Sequence, residues 1–398
     1  MDINDRKKRN ACFIYYQRYN SLIYREANAL LEEGFNVDII CLRRTRKDKV
    51  FQRFSNQHLF LLQARESAER HTICYFLWLL LFFIKASIFV SFMTILKRYS
   101  LVHVTAPPDI MVFSALVPKL LGSKIILDIH DIGPELYIRK LNVKDDRLVI
   151  NLLKYFERIS TQFADYVITV TEHWKNRLVS RSVSSEKCAV ILNVPSEEIF
   201  KPLRSVSRKK IQTFDLYYHG SMEEHFGVDT MIKAMPTIRK QIPTVNLHIY
   251  SNKKGRLSEL FKFQAKALNL DKSIKFHERV PFYDLPKVLR NAHIGIVPTK
   301  GSVFSDEAVS MKSFEYLALG IPIVISRTKA HEFYYHDSMV KFFEPENSND
   351  LAMAVVQLYR DPHKRERLVG NSKAFMRKYG WKNHSKKIYT DIANRLTL

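Results

Sequence analysis

Residues 305–324 read Ser-Asp-Glu-Ala-Val-Ser-Met-Lys-Ser-Phe-Glu-Tyr-Leu-Ala-Leu-Gly-Ile-Pro-Ile-Val. A polar, glycine-containing loop over 299–306 runs into a predicted helix over 309–319. Gly320 stands where a left-handed helix end is expected, and the β-branched run 321–326 follows as a strand. The start of such a helix has free N–H groups and the positive end of the helix dipole, aimed where α/β proteins hold ligands. The N–H groups of Val309, Ser310, Met311 and Lys312 therefore form a predicted anion site suited to a diphosphate, and Lys312 adds a full positive charge. Glu315 lies three residues further on and projects from about the same face. Its carboxylate can accept two hydrogen bonds from the vicinal hydroxyls of a ribose. Glu307, at the loop end, is placed to reach a sugar hydroxyl.

The same alternation extends outward in both directions. Strands are predicted at 214–218, 246–250, 274–276 and 294–297, separated by helices at 227–240, 256–268 and 284–291, with the turn His219-Gly220-Ser221 after the first strand. Further upstream, strands at 11–16 and 37–42 bracket a helix over 21–33 that ends at Gly34. Strands at 101–104, 124–129, 166–171 and 189–192 follow, with an amphipathic helix over 147–163. Residues 201–212 read as a polar linker, and 349–360, 363–378 and 382–396 as helical. Repeated βα alternation implies parallel sheets. The expected fold is α/β, two Rossmann-like doubly wound domains facing across a cleft. The domains are 1–203 and 204–378, with 379–398 as a C-terminal helix returning to the N-terminal domain.

The chain has 398 residues, 46% hydrophobic and 26% charged, which suits a globular protein and excludes wholesale disorder. Its 11 glycines exclude collagen-like and Gly-linker architectures. The net charge of +23 points to a polyanionic partner: nucleic acid, an anionic membrane or a phosphate-bearing substrate. That charge is unevenly spread, with net +8 in residues 1–100, zero in 101–200 and +15 in 201–398. The densest basic run is Arg43-Arg44-Thr45-Arg46-Lys47-Asp48-Lys49. Cys12, Cys41, Cys74 and Cys188 are too scattered for a zinc site or a disulfide framework, which fits a reducing compartment. The N-terminus lacks the apolar core of a signal peptide, so a cytoplasmic location is expected.

Residues 73–96 are the most apolar stretch, interrupted only by Lys85. As a helix of ~1.5 Å per residue it is long enough to cross a bilayer. A crossing would, however, strand 101–104 on the opposite side from the strands it should pair with. The favoured reading is a helix partly packed on the sheet and partly dipping into the lipid interface, with basic flanks at Arg65, Arg70, Lys97 and Arg98.

Glu307-x7-Glu315 followed by Tyr-Leu-Ala-Leu-Gly-Ile-Pro-Ile-Val resembles the donor-binding motif of the retaining glycosyltransferases of family 4, which have the GT-B fold. Supporting stretches run along nearly the whole chain. They include Tyr24-Arg25-Glu26-Ala27, Asp128-Ile129-His130-Asp131 with Pro134-Glu135-Leu136, Asn193-Val194-Pro195, Tyr218-His219-Gly220-Ser221, Gly227-Val228-Asp229 and Tyr379-Gly380-Trp381. The resemblance implies a nucleotide-diphosphate sugar as donor, held by Gly220, Ser221, Val309, Ser310, Met311, Lys312 and Glu315. It matches His130 to a histidine that touches the transferred sugar, making His130, Glu307 and Lys312 the expected catalytic residues. It also implies transfer with retention of configuration and without a metal or cofactor, in keeping with the lack of a D-x-D motif. Arg18, Asp131 and Glu135 are candidate contacts for acceptor or phosphate.

The chain departs from the family where many members carry an Arg and a Lys that clamp the diphosphate: Ser221 and Phe226 stand there. Lys312 is the first choice to replace them, with His225 or Lys300 assisting, and the base is expected near the backbone of Arg279-Val280-Pro281. The usual glycine-rich N-terminal loop is replaced by Gln17-Arg18-Tyr19-Asn20. The implied acceptor is a saccharide, lipid-linked, in cell-envelope or exopolysaccharide synthesis, with the enzyme peripheral at the inner face of the cell membrane on an anionic surface. Two alternatives compete. A nucleotide-sugar 2-epimerase of the same fold has no use for the apolar 73–96 segment. A basic nucleic-acid-binding protein would interleave surface aromatics with its charges, a pattern absent from the basic runs here.

Overall fold

Eight short runs in the first half of the chain pair into one sheet: β1 (Arg9–Arg18), β2 (Phe35–Arg43), β3 (Phe51–Phe54), β4 (Gln57–Ala64), β5 (Tyr99–Ala106), β6 (Lys124–Ile129), β7 (Tyr166–Thr169) and β8 (Cys188–Val190). The computed structural model describes residues 9–43, 49–54, 56–64, 72–141, 147–202, 213–252 and 255–398. Most of the basic run 43–49, the flanking Arg65 and Arg70, and most of the linker 201–212 lie outside these residues. The strand order is β3-β4-β2-β1-β5-β6-β7-β8, parallel throughout except for the antiparallel pair β3–β4. The order of connection reverses between β1 and β5, which is the switch point of a doubly wound sheet. β3 and β4 were not anticipated, although Gln57–Ala64 carries an apolar run between its two glutamines.

Contacts divide the chain into two units, Met1–Leu192 with Ser385–Leu398, and Asn193–His384. In the first unit the helix Thr72–Lys97 lies on the sheet. Leu79, Phe82, Ala86 and Val90 recur at helical spacing and are buried with Cys12, Ile14, Val102 and Val104. The opposite side presents Leu77, Leu80, Ile84, Ile88, Phe92 and Ile95 to solvent. The hydroxyls of Ser87, Ser91 and Thr94 donate to carbonyls one turn back (Phe83, Ser87 and Val90), so they add no polarity to either face. The helix Lys386–Thr397 also belongs to this unit. It rests on the helix Ser21–Glu32, with Asn394 Nδ2 donating to Glu33 Oε2 at 2.9 Å and Arg9 Nη1 to Thr397 Oγ1 at 3.0 Å.

The second unit holds β9 (Phe214–His219), β10 (Val245–Ser251), β11 (Ile274–Glu278), β12 (Ile294–Val297), β13 (Ile323–Ser326) and β14 (Lys341–Phe343), all parallel, in the order β11-β10-β9-β12-β13-β14. The order reverses between β9 and β12. The helix Met311–Leu319 is locked onto this region by Tyr316. Its ring lies where a Cβ on Gly295 would come within 2.6 Å, and its hydroxyl donates to Tyr217 O at 2.8 Å. Gly227, which opens the helix Val228–Gln241, has φ +67, and a Cβ there would sit 1.8 Å from Pro298 O. Both the left-handed backbone and the backbone contact demand glycine.

Gly227→Ala is therefore expected to destabilise the protein by at least about 2 kcal/mol, read from denaturant unfolding.

Candidate functional site

The two strands at the order reversal of the second sheet both feed one set of residues. β9 ends in His219-Gly220-Ser221, and β12 leads through the loop 298–310 into the helix Met311–Leu319. That helix starts two residues later than its sequence suggests. Ser310 is extended (φ −70, ψ 122), and its carbonyl accepts Ser313 N–H at 3.0 Å and Ser313 Oγ at 2.5 Å. Val309 and Ser310 are thus the approach to the helix, and the first-turn N–H groups belong to Met311 and Lys312. The Ser310 side chain caps none of them, so they keep their capacity to bind an anion.

Lys312 is only 8% exposed. Its ammonium lies 3.9 Å from the centre of the Phe226 ring and 5.4 Å from that of Tyr218. These are cation–π distances, and they give Phe226 a role as the ring that carries the cation. Gly220 has φ +118, a backbone that favours glycine, and a Cβ there would fall 2.6 Å from Lys312 Cε, so the lysine stem would have to shift. Burial pulls Lys312 down to about 8, against the opposing charges of Glu315 and Glu223. Burial likewise pushes Glu315 up to about 7, against the pull of Lys312 and Arg279. His219 Nε2 is 3.3 Å from Glu315 Oε2. Burial, then the charges of Lys312 and Arg279, push His219 down to about 3, so its imidazole is neutral. Arg279, directly after the C-terminal end of β11, thus acts on all three groups. The sequence points only to its backbone, as part of the expected base pocket. Its position at a strand end is the signal that was available.

Ser221 lies in the turn after Gly220, where its carbonyl accepts the Tyr218 hydroxyl and its Oγ accepts Glu223 N–H at 3.3 Å. Glu307 is half-buried at the loop end, with its N–H donating to Phe304 O at 3.2 Å. Asp306 beside it is pushed up by burial, and the charge of Glu307 adds to the shift against that of Lys329. Lys300 pairs with Asp229 at 3.1 Å and its N–H donates to His225 O at 2.9 Å, so it fastens the loop to the helix Val228–Gln241.

In the first unit His130 follows the C-terminal end of β6. Its Nε2 lies 2.7 Å from Asp128 Oδ2, and the same oxygen is 3.3 Å from His103 Nε2. Burial alone would lower His130, but the charge and hydrogen bond of Asp128, with Glu26 and Asp131 behind, hold it above the ordinary histidine value. Asp128, although buried, is held well below the carboxylate range by His130 and His103. Ligand-type atoms of Glu26, His103 and Asp128 fall within 4.8 Å of one another. Arg25 pairs with Glu26 at 3.2 Å, and His103 and His130 hydrogen-bond Asp128. Hydrogen bonds and an ion pair thus link the three groups to Arg25 and His130.

The remaining first-unit candidates separate. Arg18 is exposed at the end of β1, and Asp131 is half-buried beside His130. Glu135 is buried, and both of its oxygens accept from Arg181, at 2.8 and 3.0 Å, with Arg177 at 3.2 Å from one of them. Arg181 also binds Glu157, which is fully buried. Both oxygens of Glu135, expected as a contact for acceptor or phosphate, are thus taken up by arginines of the same unit. Its partners come from the helix Glu172–Arg181, and local sequence gives no sign of them.

Residues 20–194 match the family described as Glycosyltransferase Family 4, and residues 213–361 match Glycosyl transferases group 1. A chitobiosyldiphosphodolichol beta-mannosyltransferase from Debaryomyces hansenii is 25% identical over 279 residues, which are 63% of this chain. The match covers 57% of that protein, so the chain spans just over half the length of the curated relative. Among solved structures, sucrose-phosphate synthase from Thermosynechococcus elongatus superposes with a TM-score of 0.77 at 16% identity, covering 98% of this chain and 99% of the other. HepE from Anabaena in complex with UDP gives 0.69 at 14% identity, covering 98% and 99%. These likenesses establish the GT-B fold.

Arg181→Met leaves the buried Glu157 without its cation and Glu135 with Arg177 alone, and is expected to cost about 3–5 kcal/mol. Arg181 depresses Glu135 against the effect of burial, so the network contributes above the ordinary carboxylate range and is lost as pH falls through it. The gap in melting temperature between variant and parent should accordingly hold from pH 7 to about pH 5 and narrow as pH falls further.

Proposed function

The chain belongs to the family 4, group 1 glycosyltransferases, and from that premise we propose that it moves a hexose-type sugar from a nucleotide-diphosphate sugar to a lipid-linked saccharide, with retention of anomeric configuration. The observation that carries the reading is Lys312, buried beneath Gly220 at the uncapped start of the helix after β12, with Glu315 one turn on. The diphosphate meets the N–H groups of Met311 and Lys312 and the Lys312 ammonium, which stabilise the negative charge that grows as the sugar–oxygen bond breaks. Arg279 adds a second positive charge near the same groups and stands in for the family clamp missing at Ser221 and Phe226. Ionised Glu315 accepts the ribose hydroxyls and Glu307 orients the sugar; in the first unit, His130 is given the sugar-contacting role that the family resemblance implies. The departing phosphate takes the proton of the attacking hydroxyl, so neither a separate base nor a metal is required.

A lipid-linked acceptor is supported by the dolichol in the name of the Debaryomyces hansenii relative and by the apolar face of the helix Thr72–Lys97. An 18-residue window of this helix, within Cys74–Lys97, has a mean hydropathy of 2.3. One side packs on the sheet, and the other suits the surface of an anionic membrane at its cytoplasmic side, where each nearby basic residue adds about 1 kcal/mol. The setting is assembly of an envelope or exopolysaccharide glycan.

Lys312→Ala and Glu315→Ala should each lower transfer at least about tenfold, roughly 1.4 kcal/mol of barrier. Near-normal turnover by either folded variant would sink the site assignment. Affinity for a nucleoside diphosphate, with UDP, GDP and ADP titrated in turn by calorimetry, should be greatest between about pH 7 and 8, because Glu315 must lose its proton and Lys312 must keep its own. Proton NMR of the glycosidic product reads retention directly; an inverted product refutes that part. Ile88→Asp with Phe92→Asp should abolish co-flotation with vesicles containing phosphatidylglycerol, and unchanged flotation would remove the membrane assignment.

A further inference from the structure

The helix Arg147–Phe163 carries an exposed stripe that no step of the transfer uses. Leu148, Leu152 and Tyr155 recur at helical spacing and are 83%, 51% and 58% exposed. Arg158 and Gln162 continue the same side of the helix by one turn and two, and both are exposed. They open onto a cavity of about 400 Å³ whose lining includes Arg181, Ser182, Ser184 and Lys187. Among the described residues the Arg158 guanidinium has no ion-pair or hydrogen-bond partner. Lys187 Nζ donates to Thr161 O at 2.9 Å and Gln162 O at 3.2 Å, which leaves one of its three N–H groups unspent. Burial and the charge of Lys119 pull Lys187 below the ordinary lysine range, against the pull of Asp165. The acids nearby are taken. Glu157, the only acid in the helix, is fully buried and bound by Arg181, and Asp165 pairs with Lys119 at 3.3 Å. Glu186, which does not line the cavity, accepts the Ser184 hydroxyl. The cavity lies at the N-terminal ends of β7 and β8, because Lys187 directly precedes Cys188–Val190 and the helix ends shortly before Tyr166–Thr169. His130 lies past the opposite, C-terminal edge of the same parallel strands, so a ligand here is apart from the sugar.

We propose that this cavity holds the phosphate of an anionic phospholipid, whose tails leave past Tyr155 along Leu152 and Leu148. Arg158 offers the planar fork that suits a phosphate, and Lys187 adds its remaining N–H. A small free anion would use these cations and leave the three apolar side chains beside them in water. An amphiphile uses both. Tyr155 stands between the apolar and the basic stretch, which is where a ring with a polar tip sits at a membrane interface. The helical turn Asp109–Ala115 packs against both this helix and Thr72–Lys97, so the two apolar surfaces are neighbours in one layer on the first sheet. The site goes beyond the transfer chemistry and needs neither Lys312 nor His130.

The probe is dihexanoyl phosphatidylglycerol, kept below its micelle concentration and titrated into the full chain by calorimetry. Glycerol 3-phosphate, inorganic phosphate and dihexanoyl phosphatidylcholine are titrated alongside. The phosphatidylglycerol should bind at least about tenfold more tightly than either water-soluble phosphate, and more tightly than the phosphatidylcholine. Arg158→Gln should weaken it at least about fivefold. Arg158 is exposed and unpaired, so this variant should melt with the parent. Leu152→Asp with Tyr155→Asp should weaken the lipid by a similar factor and leave glycerol 3-phosphate unaffected. No binding of phosphatidylglycerol, or binding indifferent to Arg158→Gln, overturns the proposal. Equal affinity for the lipid and inorganic phosphate, unchanged by the two aspartates, marks a free-phosphate site and overturns it as well. Ile88→Asp with Phe92→Asp separates this site from the membrane role given to Thr72–Lys97. The short-chain lipid should bind that variant as it binds the parent, even where vesicle flotation is unchanged and the membrane role falls. Loss of its binding there would put the lipid on the other helix and overturn the assignment.

Discussion

The ammonium of Lys312 is removed from water, and a charge in that position must be answered on every side. Phe226 and Tyr218 give it ring faces, and Glu315 gives it a carboxylate one turn along the same helix. Gly220 gives it room, because a side chain there would displace the lysine stem from its present place. The helix that carries Lys312 is in turn held by Tyr316 against Gly295. Burial has opposite effects on the two charges, drawing the lysine towards neutrality and the glutamate towards protonation. A site left this far from electrostatic comfort suits an anionic ligand, and the cost to the folded state is typical of binding sites.

The first unit handles charge differently. Its carboxylates are matched to cations inside the protein, Glu135 and Glu157 to Arg181 and Asp128 to His130. Glu135 reads in the sequence as an available acid at a helix start, yet it is fully engaged. The net charge of +23 suggests open basic surface. Several of its cations are spent internally, among them Arg25, Lys97, Arg181 and Lys300.

Local periodicity carried much of the fold into the sequence. The helix expected over 147–163 spans Arg147–Phe163, and strands 124–129 and 294–297 lie at the same residues. Elements whose limits depend on distant partners were less legible. β3 is short and mixed in character, and it is a strand because β4 pairs with it. The site helix starts at Met311 rather than 309 because the Ser310 carbonyl, not its side chain, closes the first turn. Glu315, Lys312 and Gly220 could be named from the motif. The ring of Phe226 beneath Lys312 and the reach of Arg279 could not, since each comes from another loop of the same unit.

The helix that closes the first unit follows the whole of the second unit along the chain. During synthesis the surface of Ser21–Glu32 and the buried site of Tyr389 stay uncovered while the entire second unit emerges from the ribosome. The earlier-made half must wait in an unfinished state, with an apolar helix face also exposed. Early contact with a membrane or a chaperone would shield that half through its longest period of vulnerability.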